Sequence, residues 1–178
     1  MNILILYDSV EGHTRDIAEH LSVLLEGQGH EIFVTRAGDP GYCDPGTFDA
    51  SILCAPIHIG RYPAAFVNYV KAWKEALSSK PSAFVSVTLA IASDKSDERE
   101  EAIGFPGELE NETGWRPDMV HNAAGALKYL EYDFFKRWMM RRISAKEGGE
   151  TDTSQNHILT DWQALDTFVG DFLKTVSD

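Results

Sequence analysis

"LILYDSVEGHTRDIAEHLSVLL", Leu4–Leu25, joins two patterns that belong to different secondary structures. Asn2–Tyr7 is a continuous apolar run, the signature of a strand covered on both faces. From Thr14 to Glu26 the apolar residues recur as Ile17, Leu21, Leu24 and Leu25, one face of a helix that Gly27 and Gly29 end. Between them lies Asp8-Ser9-Val10-Glu11-Gly12-His13, a strand-to-helix corner carrying a hydroxyl, a glycine and a chain of backbone amides.

The same alternation continues along the chain. Glu31–Thr35 reads as a second short strand, followed by the turn-rich "AGDPGYCDPG" at 37–46. Ala50–Ala55 is another buried strand, closed by Pro56, and Ala64–Leu77 places Phe66, Val67, Val70 and Trp73 at helical spacing. "SAFVSVTLAI", Ser82–Ile91, is β-branched and aromatic, a fourth strand; Met119–Ala124 supplies a fifth. Helices are expected near Tyr132–Ala145 and from Asp161 to Val176. Near-continuous apolar strands alternating with helices imply an α/β fold: a doubly wound five-stranded parallel sheet with helices on both faces. The expectation is one domain over residues 1–178. Ser93–Thr113 carries eight acids against two bases, with Gly104, Pro106 and Gly107, and reads as an acidic insertion, a solvated loop holding at most a short helix.

Bulk numbers narrow the function. The 178 residues are 43% hydrophobic, enough for a real core. A net charge of -12 argues against a nucleic-acid partner, because phosphates repel such a surface. Cys43 and Cys54 make neither a disulfide framework nor a metal-ligand pair, and Cys54 reads as a small buried hydrophobe, so no metal is expected. No basic leader precedes Asn2, and no uncharged run approaches the ~20 residues that span a bilayer. A cytoplasmic protein is the expectation.

In an open parallel sheet, ligands sit beyond the carboxyl ends of the strands, where helix N-termini offer orphan amides and a favourable dipole. Ser9-x-x-Gly12-x-Thr14 adds two hydroxyls and a residue permitting close backbone approach, an anion site; the alternative is that Ser9 and Thr14 only cap the helix. His13 adds a possible donor, and Arg15 is the one base nearby. There is no lysine for a G-x-x-x-x-G-K-[ST] loop and no G-x-G-x-x-G. A phosphoacceptor receiver fits poorly, since the third strand ends in "CAPIHIG" rather than in Asp.

Ser9-x-x-Gly12-x-Thr14 after the first strand resembles the phosphate loop of flavodoxin-like proteins, which bind flavin mononucleotide (FMN). The resemblance implies that Ser9, Val10, Glu11, Gly12, His13 and Thr14 surround the phosphate. It also implies that Pro56, Ile57, His58, Ile59 and Gly60, in "APIHIGRY", pack against the flavin ring. Val87, Thr88, Leu89 and Ala90 would border its other edge. Without the resemblance, His58 is a solvated loop histidine.

The C-terminal third is similar to the quinone-dependent protoporphyrinogen IX dehydrogenases, flavodoxin-like enzymes of bacterial haem biosynthesis. The shared pieces are "GAL" with Tyr129 (Gly125–Leu127), an aromatic-basic helix, "GGETDT" (Gly148–Thr153) and "TDW" (Thr160–Trp162). Upstream, "PSAF" with Ser86 and Val87, and "WRPD" (Trp115–Asp118), fit as well. The acidic Ser93–Thr113 departs from family members whose corresponding loop is basic. The resemblance implies oxidation of protoporphyrinogen IX to protoporphyrin IX, in three two-electron steps, with a menaquinone or ubiquinone as acceptor.

Charge placement adds a physical argument. Six of the 16 bases fall within residues 128–146, against Glu131 and Asp133, so the remainder of the chain is more acidic than the average. In a helix over about 132–146, Phe134, Phe135, Trp138, Met139 and Ile143 cover about half the circumference and Lys136, Arg137 and Arg141 the other half, with Arg142 breaking the apolar arc. Such a helix suits an anionic membrane surface, which would make the protein peripheral on the inner face of the cell membrane. The same residues, Lys136, Arg137, Trp138, Arg141 and Arg142, also suit substrate carboxylates. A core-packed helix with a solvated basic face is the plain alternative. No general base stands out; His58 and His121 qualify only by their titration range. Two other functions remain open, a flavodoxin-type single-electron carrier and a soluble FMN quinone reductase.

Overall fold

The computed structural model describes residues 1–39, 43–127 and 157–177. Five strands form one parallel sheet: β1 (Asn2–Tyr7), β2 (Glu31–Arg36), β3 (Ala50–Pro56), β4 (Ser82–Val87) and β5 (Met119–Ala123). Their spatial order is β2-β1-β3-β4-β5, the doubly wound arrangement expected from the alternation of patterns. Among the described residues four α-helices connect and cover them: α1 (His13–Gly27), α2 (Ala64–Ser78), α3 (Ser96–Thr113) and α4 (Trp162–Ser177). A short antiparallel pair, β6 (Ala126–Leu127) with β7 (His157–Ile158), stands beyond the end of β5. The expected helix over 132–146, and with it "GGETDT", lies outside the described residues.

Alternate residues of the central strands feed two cores. Ile3, Ile5, Ile52, Cys54 and Val85 pack against Ile17 and Leu21 of α1 and against Leu165, Val169 and Phe172 of α4. Leu4, Leu6, Leu53 and Phe84 pack on the other side against Phe66 and Val70 of α2, Leu109 of α3 and Trp115. Helices therefore cover both faces, which is why β1, β3 and β4 are buried almost throughout and mostly apolar, with Ser51, Ser82 and Ser86 buried among the apolar residues. Each fully buried Leu, Ile or Phe is worth about 1.5–3 kcal/mol of transfer free energy. The edge strands differ: Phe33 of β2 and Val120 of β5 are exposed.

The acidic stretch corrects the sequence reading. Residues expected as a solvated loop form α3, an 18-residue crossover helix between β4 and β5. Its apolar stripe is narrow: Ala102, Phe105, Leu109 and Thr113 are buried, spaced 3, 4 and 4 apart. The acids occupy the solvent side, and Pro106 is carried inside the helix. Gly114, at φ 75°, ends it by donating its N–H to Glu110 O (2.8 Å). Trp115 follows, fully buried, with Nε1 donating to Ser82 Oγ at 3.3 Å.

Candidate functional site

The strand order reverses direction between β1 and β3, since β2 lies on one side of β1 and β3 on the other. The connections leaving β1 and β3 therefore part at this point and open a crevice above the carboxyl edge of the sheet. Both stretches singled out in the sequence, 8–14 and 56–60, stand there.

At the β1–α1 corner the chain turns through Gly12, at φ 91°, which is the N-cap of α1. No side chain caps this helix, so Thr14 is not a cap; it is the second helical residue and is 2% exposed. Ser9 acts one step earlier, its Oγ accepting the N–H of Gly12 at 2.9 Å. The loop between is held from beneath. Buried Asp8 accepts the Ser9 N–H (2.7 Å) and the Nε–H of Arg36 (3.2 Å), and an Arg36 NH2 group also donates to Ser9 O (3.0 Å). Arg36 is thus the base that meets this loop, and it neutralises the Asp8 carboxylate that would otherwise oppose a bound anion. Arg15, the base near in sequence, pairs with Glu19 instead. Val10 stands exposed at the tip of the corner.

His13 is buried, with Nε2 2.6 Å from Thr160 Oγ1. The Thr160 hydroxyl donates its single proton to Ala124 O, also at 2.6 Å. Thr160 therefore has only lone pairs left for the histidine, so His13 carries a proton on Nε2 and donates. Nδ1 of the same ring lies 3.8 Å from Asp16 Oδ2. Trp162 packs between His13 and His20, at ring-centroid distances of 6.0 and 4.7 Å, and ties the start of α4 to α1.

The second wall follows β3. Pro56 pairs in register with Val87, and the Ile57 N–H donates to Val87 O at 2.8 Å. Next, His58 and Arg61 exchange both backbone hydrogen bonds, His58 N–H to Arg61 O at 2.9 Å and Arg61 N–H to His58 O at 3.3 Å. Ile59 and Gly60 form the two-residue tip, at φ 50° and 70°. Positive φ at both positions makes this a type I′ hairpin turn. It suits Gly60 and strains Ile59, because a β-branched residue at positive φ is a true outlier. The strained side chain is 75% exposed, so no buried contact compensates within the described residues. The third wall, Thr88–Ala90, is pinned by the Thr88 N–H to Ala123 O (3.0 Å) and by Thr88 Oγ1 accepting the Ala90 N–H (3.3 Å).

The structure thus brings Ser9 to Thr14, Pro56 to Gly60 and Val87 to Ala90 to one rim. His121 lies elsewhere: it stacks on Phe168 of α4 (5.1 Å), and burial pushes its pKa down while Asp161 opposes the shift. Lys136, Arg137, Trp138, Arg141 and Arg142 lie outside the described residues. Sequence reasoning overlooked Arg36, Arg61, Tyr62 and Thr160. Tyr62 is buried against Ser86 Oγ (2.8 Å), and burial raises its pKa well above the usual phenol value. The turn chemistry of Ile59-Gly60 was the available signal for Arg61; Thr160 stood out only within the "TDW" resemblance, and Arg36, distant in sequence, gave none. Among the described residues no cluster of ligands could hold a metal ion, and no helix is long and apolar enough to cross a membrane.

Comparison with known proteins agrees with this geometry. The flavodoxin domain family matches residues 4–154. A protein named protoporphyrinogen IX dehydrogenase [quinone] from Escherichia coli K12 is 33% identical over 171 residues, covering 94% of this chain and 92% of its own. One of the same name from Leishmania major is 34% identical, covering 95% of this chain and 73% of its own. Among solved structures, a short-chain flavodoxin associated with a bacterial microcompartment superimposes with TM-score 0.59 at 12% identity, covering 99% of each chain. A Fusobacterium nucleatum flavodoxin bound to flavin mononucleotide gives 0.54 at 15%, covering 99% and 95%. These two likenesses speak for the fold. The family match and the two dehydrogenase relatives go further: this chain belongs to the flavodoxin domain family and, within it, to the quinone-dependent protoporphyrinogen IX dehydrogenases.

Proposed function

We propose that this rim binds FMN and that the protein oxidises protoporphyrinogen IX to protoporphyrin IX, passing the electrons to a quinone. The observation that carries the reading is two unlike stretches at the same carboxyl edge of the sheet. One is an uncapped helix N-terminus behind a left-handed glycine, and the other is a strained turn holding an isoleucine out to solvent. The first suits a phosphate monoester, the second a flat apolar ring. The names of the relatives at 33% and 34% identity supply the substrate and the acceptor.

The residues present fit the cofactor. The α1 dipole and first-turn amides face the corner, Gly12 lets the backbone approach, and Arg36 cancels the charge of Asp8 beneath it. Ser9 and Thr14 supply hydroxyls, and His13 is held in place by Thr160. Ile57, His58 and Ile59 form one side for the ring and Thr88–Ala90 the other. When bound, FMN supplies the two-electron redox chemistry. The chain's own part is to orient the substrate on the ring, exclude water with Ile59 and Val10, and offer His58 at the crevice as a proton acceptor. The basic residues of 128–146 are proposed to draw the protein to an anionic membrane, where its quinone is dissolved.

Anaerobic mixing of the purified yellow protein with protoporphyrinogen IX and a menaquinone analogue tests this. Porphyrin fluorescence should rise only when protein and quinone are both present. Colourless protein that rejects added FMN, or flavin reduction by a nicotinamide cofactor without porphyrin, defeats the reading.

A further inference from the structure

Ten of the 16 Lys and Arg residues fall among the described residues. Arg15, Arg36, Lys71, Lys74, Lys95, Arg116 and Lys174 are each within 4.0 Å of a carboxylate, and Arg99 donates to Ser93 O. Arg61 and Lys80 are the two left without an ion pair or side-chain hydrogen bond among those residues. They differ in place. Lys80 precedes β4, at the amino end of the sheet, whereas Arg61 closes the turn after β3 at the cofactor rim.

The turn also fixes where Arg61 points. His58 and Arg61 are a directly opposed, doubly hydrogen-bonded pair, and such residues carry their side chains on the same face of the ribbon. The guanidinium therefore shares its face with the imidazole that the reading above places at the ring. The strained Ile59-Gly60 tip lies between them in sequence and allows only this short loop. An exposed arginine with no acidic partner among the described residues, in a chain of net charge -12, has donors to offer an anionic ligand at this rim.

We propose that Arg61 binds a carboxylate of the substrate and so sets how the porphyrinogen lies on the flavin, with His58 on the same side. This rests on the function proposed above. Guanidinium and carboxylate match in a two-point, charge-assisted pair, which lysine cannot reproduce.

The test is steady-state turnover by FMN-loaded protein of protoporphyrinogen IX and of its dimethyl ester, with wild type, Arg61→Gln, Arg61→Lys and Lys80→Gln. For Arg61→Gln, KM for the diacid should rise about ten- to hundred-fold with kcat within about threefold, as expected for losing a charged hydrogen-bonded pair. The variant should no longer prefer diacid to ester, Arg61→Lys should recover only part, and Lys80→Gln should match wild type. Unchanged KM and unchanged diacid preference in Arg61→Gln overturn the proposal while leaving the function intact. Loss of FMN affinity in Arg61→Gln also overturns it, by assigning the guanidinium to the cofactor. Wild type that binds FMN but oxidises neither porphyrinogen removes the function and the proposal together.

Discussion

Gly12 is where a single side chain decides the site. At φ 91° any residue with a Cβ is strained by about 1–3 kcal/mol, and Val adds bulk where the phosphate is proposed to approach. Gly12→Val should therefore weaken FMN binding by one to two orders of magnitude, about 1.4 kcal/mol per factor of ten, with the fold retained. Riboflavin, which lacks the phosphate, should bind wild type and variant alike; fluorescence titration with both flavins checks this. If FMN and riboflavin are weakened equally, the phosphate is not at this corner. The glycine and its neighbours were legible from sequence because a strand-to-helix corner is a local event. Arg36 was not, because its hold on Asp8 and Ser9 spans 28 and 27 residues. Thr160 was legible only as part of a resemblance, since its partners His13 and Ala124 lie 147 and 36 residues away.

At the level of elements, α3 separates periodicity from composition. Seven acids, two glycines and a proline outweigh four buried positions when the helix is read as a string. Yet a covering helix needs only one stripe toward the sheet, and the exposed side is free to be charged. Tertiary packing against Phe84 and Trp115 supplies what local propensity lacks. Leu109→Ala is the decisive substitution: it should cost about 2–4 kcal/mol if the side chain is buried in a core, and under about 0.5 kcal/mol on a solvated loop. Urea denaturation with an unchanged m-value measures the difference. The strands needed less correction: the fourth, expected over Ser82–Ile91, ends at Val87, and Leu89–Ala92 turns as a short 3-10 helix. β1, β3 and β4 are buried on both faces, so apolar residues dominate them despite Ser51, Ser82 and Ser86.

For the molecule as a whole, titration and chain path both have measurable consequences. His121 is pushed below its ordinary 6.5 by burial, so the unfolded state binds more protons and stability falls as pH drops below about 6.5. Burial pushes the Cys54 thiol up to about 12 and raises Tyr62 and Tyr69 above their ordinary values. Those groups ionise first in the unfolded chain, so stability is also lost as pH climbs from about 9. Urea midpoints measured from pH 5 to 11 should show a plateau between these limits, and His121→Asn should flatten the acid limb. An acid limb of unchanged slope in that variant would assign the loss to other groups. The β6–β7 pair carries a different consequence. Ala126–Leu127 and His157–Ile158 lie side by side and antiparallel, and Leu159 donates to Gly125 O at 3.2 Å. The polypeptide thus departs and comes home at a single doorstep, on either side of residues 128–156. Replacing them with Asn-Gly should leave a shortened protein that melts cooperatively and still turns yellow with FMN, but no longer sediments with anionic vesicles. Vesicle binding that survives the excision would move the membrane contact onto the sheet and its helices, and the donor of electrons and their acceptor would then have to share the same rim.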